Sequence, residues 1–260
     1  MGGSLLNFMW VYFKINMQSA MEYRVNFLLQ TIAMLFNDGL WIVFWLIFFN
    51  RFKTVSSWQF SDILVLEVIV AVSWSLLGIF FGNFMELANV IKDGKLDFYL
   101  TLPKEVLSHI LTSNMRYHAF GDLLFGIIIT IFFIPLIKWP LLLLFILIAS
   151  TILLSIAVIL GSITLYTGSS AELTRAGMFG ALTIASYPFD VYSGMVKFIL
   201  LTVIPVGFIT GVPVRLLQSF DLKLFLFMIL ITVILAIIAL IIFKLGIRKY
   251  ESGNLINARV

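Results

Sequence analysis

From Trp139 through Ala171 the chain carries no charged residue. A bilayer core about 30 Å thick is crossed by roughly 20 apolar residues in a helix. Inside it, only helices and closed barrels satisfy their own backbone groups. A charge-free stretch this long, opened by the turn Ile137-Lys138-Trp139-Pro140 with its interfacial tryptophan, therefore reads as a membrane span over about 141–166. Leu222–Phe243 is a second long apolar stretch, charged only at Lys223 near its start and closed by the basic tail Lys244, Arg248, Lys249 and Arg259. Composition extends the point to the whole chain. Hydrophobic residues make up 62% of it and the mean hydropathy is +1.10, against about 45–50% apolar in soluble domains. The expected fold is an all-α integral membrane protein: a single transmembrane domain over 1–260 with six spans.

Four further spans are predicted at about 25–49, 62–84, 119–137 and 194–212. Ahead of the first, residues 5–24 are apolar but striped by Asn7, Lys14, Gln18 and Glu22 near one helical face. That pattern suits an amphipathic helix lying in the membrane interface; a slightly polar first span is the alternative. Met178–Pro188 is too short to span, so 176–193 is read as a cytoplasmic-side or partly inserted helix. The span after it contains Pro205, Gly207, Gly211 and Pro213. Proline removes a backbone donor and kinks a helix, so a re-entrant segment at its outer end is a second possibility.

The longest polar interruption, residues 86–105, carries Lys92, Asp93, Lys95, Asp97, Lys104 and Glu105 in a chain only 12% charged. Orientation follows from counting basic residues on each side. With both termini cytoplasmic, twelve Lys and Arg lie inside and five outside, as the positive-inside rule favours. That places 86–105 in the cytoplasm. It also accounts for the net charge of +4 without nucleic acid as a partner. No cleavable signal peptide is evident, and Leu6 breaks the myristoylation pattern begun by Met1-Gly2.

Little chemistry is written in the chain. No cysteine is present, so disulfides, thiolate metal sites and cysteine nucleophiles are excluded. No GxxxxGK[ST], HExxH or G-x-S-x-G occurs, so the chain holds no Walker ATP site and resembles no hydrolase. His109 and His118, with no third ligand at a recognisable spacing, do not make a zinc site. Together with Arg116 and Asp122 they read as part of an interfacial helix entering the third span. Asn37-Asp38-Gly39 lies near the middle of the first span, where a carboxylate is costly and should face protein, water or a partner. It is either a pathway or interface residue, or a local break or helix–helix hydrogen bond. Glu67 is the other candidate buried carboxylate. With so few, a proton-relay chain is not expected.

These features together resemble the membrane subunits of ABC type-2 exporters, in particular bacterial daunorubicin- or viologen-type efflux permeases. The likeness rests on the helix ending Glu22-Tyr23-Arg24, the aromatic first span, and the Ile204–Pro213 stretch of the fifth span. It rests above all on Ile91–Pro103, where Gly94, Leu96, Asp97, Leu100 and Pro103 fit the pattern G-x-L-D-x-x-L-x-x-P. The resemblance implies a permease subunit of an ATP-driven exporter in a prokaryotic cell membrane, moving a hydrophobic or amphipathic substrate. Two separate ATP-binding subunits would hold ATP and Mg, and a second permease, identical or homologous, would pair with this one amid membrane lipids. Glu86, Lys92, Asp93, Gly94, Lys95, Leu96, Asp97 and Pro103 are then the expected coupling contacts. Asn37, Asp38, Pro205, Gly207, Gly211 and Pro213 are the expected pathway or subunit-interface residues. Read without the resemblance, 86–105 is equally a solvated loop. An ion-gradient-driven transporter or channel relying on Asp38 and Glu67, or a membrane scaffold without flux, remains the competing class.

Overall fold

The computed structural model describes residues 5–55, 57–103, 105–202 and 204–250. Lys104 and Arg259, both counted above, lie outside the described residues. The fold is all-helical, with no β-strand among those residues.

The first helix, α1 (Leu5–Glu22), stops at Tyr23, whose ψ of 46° leaves the helical region, and α2 (Arg24–Arg51) begins at once. α1 is held by α6 (Val106–Thr112). The Tyr12 hydroxyl meets His109 Nδ1 at 2.9 Å and Asn16 Nδ2 donates to the Thr112 carbonyl at 3.1 Å. Lys14, Gln18 and Glu22 stay exposed, as the polar stripe requires.

α3 (Phe60–Phe80) is the hub. It is opened by a capping box between Gln59 and Asp62, and nearly all of it is buried. α2, α7 (Ala119–Phe133) and α8 (Trp139–Ser162) pack around it, and α13 (Leu222–Ile247) packs on α8. A helix apolar on every face is buried in protein or faces lipid, and here the two cases separate. α3 takes the centre, whereas α2 and α13 leave wide apolar faces exposed, among them Phe36, Ile47 and Phe227. Close approach of α7 depends on Gly121, where a Cβ would stand 2.4 Å from the Thr31 carbonyl oxygen of α2.

Between α3 and α7 the chain folds as α4 (Leu87–Lys92), α5 (Leu96–Leu100) and α6. Beyond α8 come α9 (Thr164–Thr167), α10 (Ala171–Ala185), α11 (Gly194–Thr202) and α12 (Gly211–Gln218). The predicted fifth span over 194–212 is thus not one helix. α11 and the segment Val206–Gln218 are bent by 73°, and the break falls at Pro205, which has no N–H to continue the ladder. Nor is 176–193 a helix of its own; α10 starts earlier and ends at Ala185. Among the described residues four helices are long and apolar enough to cross a membrane, or five if the bent pair counts as one, and α7 is a shorter apolar helix.

Candidate functional site

Two polar regions stand out against this apolar frame, one inside the helix bundle and one at its end.

The internal one is a cavity of about 260 Å³ between α2, α3, α7 and α10. Asp38, Glu67 and Asp122 reach it from three different helices, and all three are nine-tenths buried or more. The side chains of Asp38 and Asp122 are neighbours in it. Oδ2 of each is buried with no partner. Glu67 is held differently, its Oε1 accepting from Trp45 Nε1 at 3.1 Å. Trp41, Trp74 and Phe179 supply aromatic wall, and His118 stands at the entrance to α7. Along α3, Glu67 lies seven residues from the Phe60 end and thirteen from the Phe80 end, or about 10 and 20 Å at 1.5 Å per residue.

Asp122 is the residue that sequence reasoning missed. It sits in the first turn of α7 at 2% exposure, not in an interfacial helix. Its signal was available: a carboxylate immediately before a largely apolar run that reaches Phe133. With it, the buried carboxylates among the described residues number three rather than two. Asn37 lines the same cavity. Pro205, Gly207, Gly211 and Pro213 do not; they form a buried turn beside Phe189, whose ring would lie 2.7 Å from a Cβ on Gly207.

The second region is residues 82–116. Glu86 pairs with Arg116 at 3.6 Å, and Arg116 Nε donates to the Gly82 carbonyl at 2.9 Å while its guanidinium lies over the Phe84 ring. Tyr99 bonds Ser113 Oγ at 2.9 Å, and Asn83 Nδ2 bridges the Ile110 carbonyl and Ser113. Leu96 is fully buried, pinning α5 to the bundle. Asp97 faces the Tyr250 hydroxyl just past α13; burial and this carboxylate push that phenol up to about 12. Gly94 makes the turn between α4 and α5 at φ 71°, where an L side chain is strained. Facing outward are Lys92, Asp93, Lys95 and Pro103, with the apolar side chains of Phe98 (64% exposed) and Leu100 (42%) among them. The polar break is therefore a braced platform with an exposed outer face.

A family model described as ABC-2 family transporter protein matches residues 25–253, which takes in both regions. The chain belongs to the ABC-2 transporter family. It is a permease component of an ABC exporter, a multi-pass membrane protein, and a protein of the kind that works with ATP-binding ABC subunits. No curated protein and no solved structure matches it. In this ABC-2 permease the platform and the carboxyl cavity share α7. Arg116 and Tyr117 lead directly into the helix that carries Asp122, and Thr31 of α2 reaches the Tyr117 carbonyl at 3.5 Å.

Proposed function

We propose that this permease exports a hydrophobic or amphipathic substrate, with ATP-binding subunits docking on the platform formed by α4 and α5. The observation that carries this reading is the platform's construction. An exposed apolar pair, Phe98 and Leu100, is ringed by charge and tied through Glu86–Arg116 and Tyr99–Ser113 to the base of α7. A push on such a surface moves a packed helix as a body rather than bending a loop. ATP and Mg belong to the partner subunits, two per complex, and the exposed apolar face of α2 suits a second permease, identical or homologous. The likeness to daunorubicin- or viologen-type permeases is carried by the sequence features named for it, above all the Ile91–Pro103 pattern.

Six crossings with both termini cytoplasmic in a prokaryotic cell membrane fit these contacts if α10 is the fifth. Trp58, in the loop between α2 and α3, donates to Asp190 Oδ2 at 3.0 Å, and Lys197 Nζ donates to Asp190 Oδ1 at 2.6 Å. Residues 188–197 therefore share a side with that outer loop, and α11 and α12 form a re-entrant pair there. Lys197 moves outside in the charge count, leaving eleven against six, still in the favoured sense.

The test is purification of the complex from native membranes with a gentle detergent. A soluble ATP-binding subunit should accompany the wild-type chain and be lost from Phe98→Glu/Leu100→Glu while membrane insertion persists. Retention of that subunit by the double variant would remove the docking face. Its absence from the wild type, with flux driven by an ion gradient, would favour the second reading, for which the three buried carboxylates are the observation.

A further inference from the structure

Between α1 and the helix bundle lies a gap that protein does not fill. It is a cavity of about 370 Å³ walled by Met9 of α1, Leu76 and Phe80 of α3, and Leu147 and Leu154 of α8. Leu147 and Leu154, seven residues apart, carry it about 10 Å along α8 at 1.5 Å per residue. The two hydroxyls on its wall ask for nothing. Ser150 donates to the Ile146 carbonyl at 2.8 Å and Thr151 to the Leu147 carbonyl at 2.8 Å, both within α8. Leu147 and Thr151 are exposed, so the groove opens beside them. An apolar void stays dry, and its walls forfeit dispersion contacts on the empty side. In a membrane the apolar matter at hand is an acyl chain.

The groove also has a polar end. Phe13 of α1 stacks on Phe80 with ring centroids 5.7 Å apart. Across that stack lies a shallow cavity of about 400 Å³ on the surface of α1, lined by Phe13, Lys14 and Gln18. Lys14 is the one charged residue on the walls of either cavity, and among the described residues no carboxylate pairs with it. Its ammonium rests over the ring of Trp10 at 5.3 Å, and tryptophan favours the membrane–water interface. A dry slot that ends at an unpaired cation on an amphipathic interfacial helix has the polarity of an anionic phospholipid. The other lipid-sized groove, lined by Ile131, Trp139 and Leu143, has no charged residue on its walls.

We propose that α1, α3 and α8 form a binding site for one anionic phospholipid, with an acyl chain in the groove between Met9, Phe80 and Leu154 and the phosphate at Lys14 and Gln18. The lipid completes the seat of α1, the helix that Tyr12 and Asn16 fasten to α6. The site needs the membrane location that the family gives, and not the docking of ATP-binding subunits.

The experiment uses the full chain, purified with whatever accompanies it, in nanodiscs of phosphatidylcholine. The discs carry a trace of phosphatidylglycerol with a diazirine on one acyl chain, and peptide mass spectrometry locates the adducts after irradiation. Adducts should concentrate in residues 76–81 and 147–154. A phosphatidylcholine probe with the same acyl chains should label these peptides about fivefold less, the worth of one lysine near a lipid surface. Lys14→Gln should erase that preference, and Lys53→Gln, in the loop between α2 and α3, should leave it unchanged. Thr151→Trp, which plugs the groove from an exposed position, should abolish labelling of these peptides by either probe. Where Thr151→Trp does not insert, the two probes and Lys14→Gln decide. Adducts spread equally over the exposed faces of α2 and α13, equal labelling by the two probes, or a preference that survives Lys14→Gln would each overturn the site. Labelling is scored without ATP, so loss of the site leaves the docking reading intact, and absence of an ATP-binding subunit leaves the site intact.

Discussion

The platform at 82–116 and the carboxyl cavity are the two polar places in an apolar protein, and they are built on opposite terms. On the platform, charge is local in sequence and open to water, so Lys95 and Asp93 can pair at 3.0 Å with both side chains still well exposed. Such a pair contributes little, about 0–1 kcal/mol. In the cavity, polar groups come from residues 38, 67 and 122, and their cost is met only by what surrounds them. Water forgives misplacement and a membrane interior does not. The platform should therefore tolerate surface changes and fail when its bracing is cut, whereas the cavity should respond to any change in helix spacing.

The largest effect should come from Gly121→Val. A Cβ there would meet the Thr31 carbonyl oxygen at 2.4 Å and the Leu35 nitrogen at 2.8 Å, and a backbone neighbour cannot step aside. Overpacking of this kind costs about 1–3 kcal/mol or more. Thermal melting in detergent should show the loss; a variant as stable as the wild type would mean that α2 and α7 are not locked together. Next in size is Arg116→Ala, which strips Glu86 and the Gly82 carbonyl of a charged partner at about 1.5–3 kcal/mol. It should uncouple ATP hydrolysis from transport while the protein still inserts, and Arg116→Lys should not rescue it, because the forked geometry is lost. Normal coupling in Arg116→Ala would show that the platform moves without this brace.

Gly94→Ala separates backbone from contact. Nothing lies within 4 Å of the added Cβ, so the expected cost of about 1 kcal/mol is conformational. Asn, which tolerates the left-handed region, should recover most of the loss, measured as stimulated ATPase rate. Equal loss in the Asn variant would move the cause to the partner's surface.

The smallest effect belongs to the Trp58–Asp190–Lys197 clamp. Burial raises the Asp190 carboxyl, but the hydrogen bonds from Lys197 and Trp58 outweigh it and hold the group below the ordinary value of 3.8. A carboxylate lowered in the folded state contributes stability that is complete above its unfolded value and lost as pH falls through the folded one. The difference between wild type and Asp190→Asn should be steady above about pH 4 and vanish under stronger acid, and at this exposure it should be about 1 kcal/mol or less. A difference growing in acid would reverse the sign and the assignment.

Legibility followed the same division. Trp139–Ala171 and Leu222–Phe243 declared helices because charge is absent, or confined to Lys223 at one end, over lengths only a bilayer requires; Gly94 marked a turn because glycine alone enters the left-handed region without strain, and Pro103 marked a boundary because its ring fixes φ. Asp38 and Glu67 showed as carboxylates in apolar runs, and Asp122 could have been read by the same rule but for its place beside His118 and Arg116. The segment after α8 was misread for a different reason. Residues 194–212 have a span's composition, but the bend at Pro205 and the pairing of Asp190 with Trp58, 132 positions away, are facts of packing.

What the sequence determined by itself is solvent and local shape: which stretches cannot enter water, which cannot enter lipid, and where the backbone must turn. Tertiary structure alone decided which polar groups meet. Side chains on three helices converge only once glycines let those helices touch, and no periodicity within a helix encodes its distance from another.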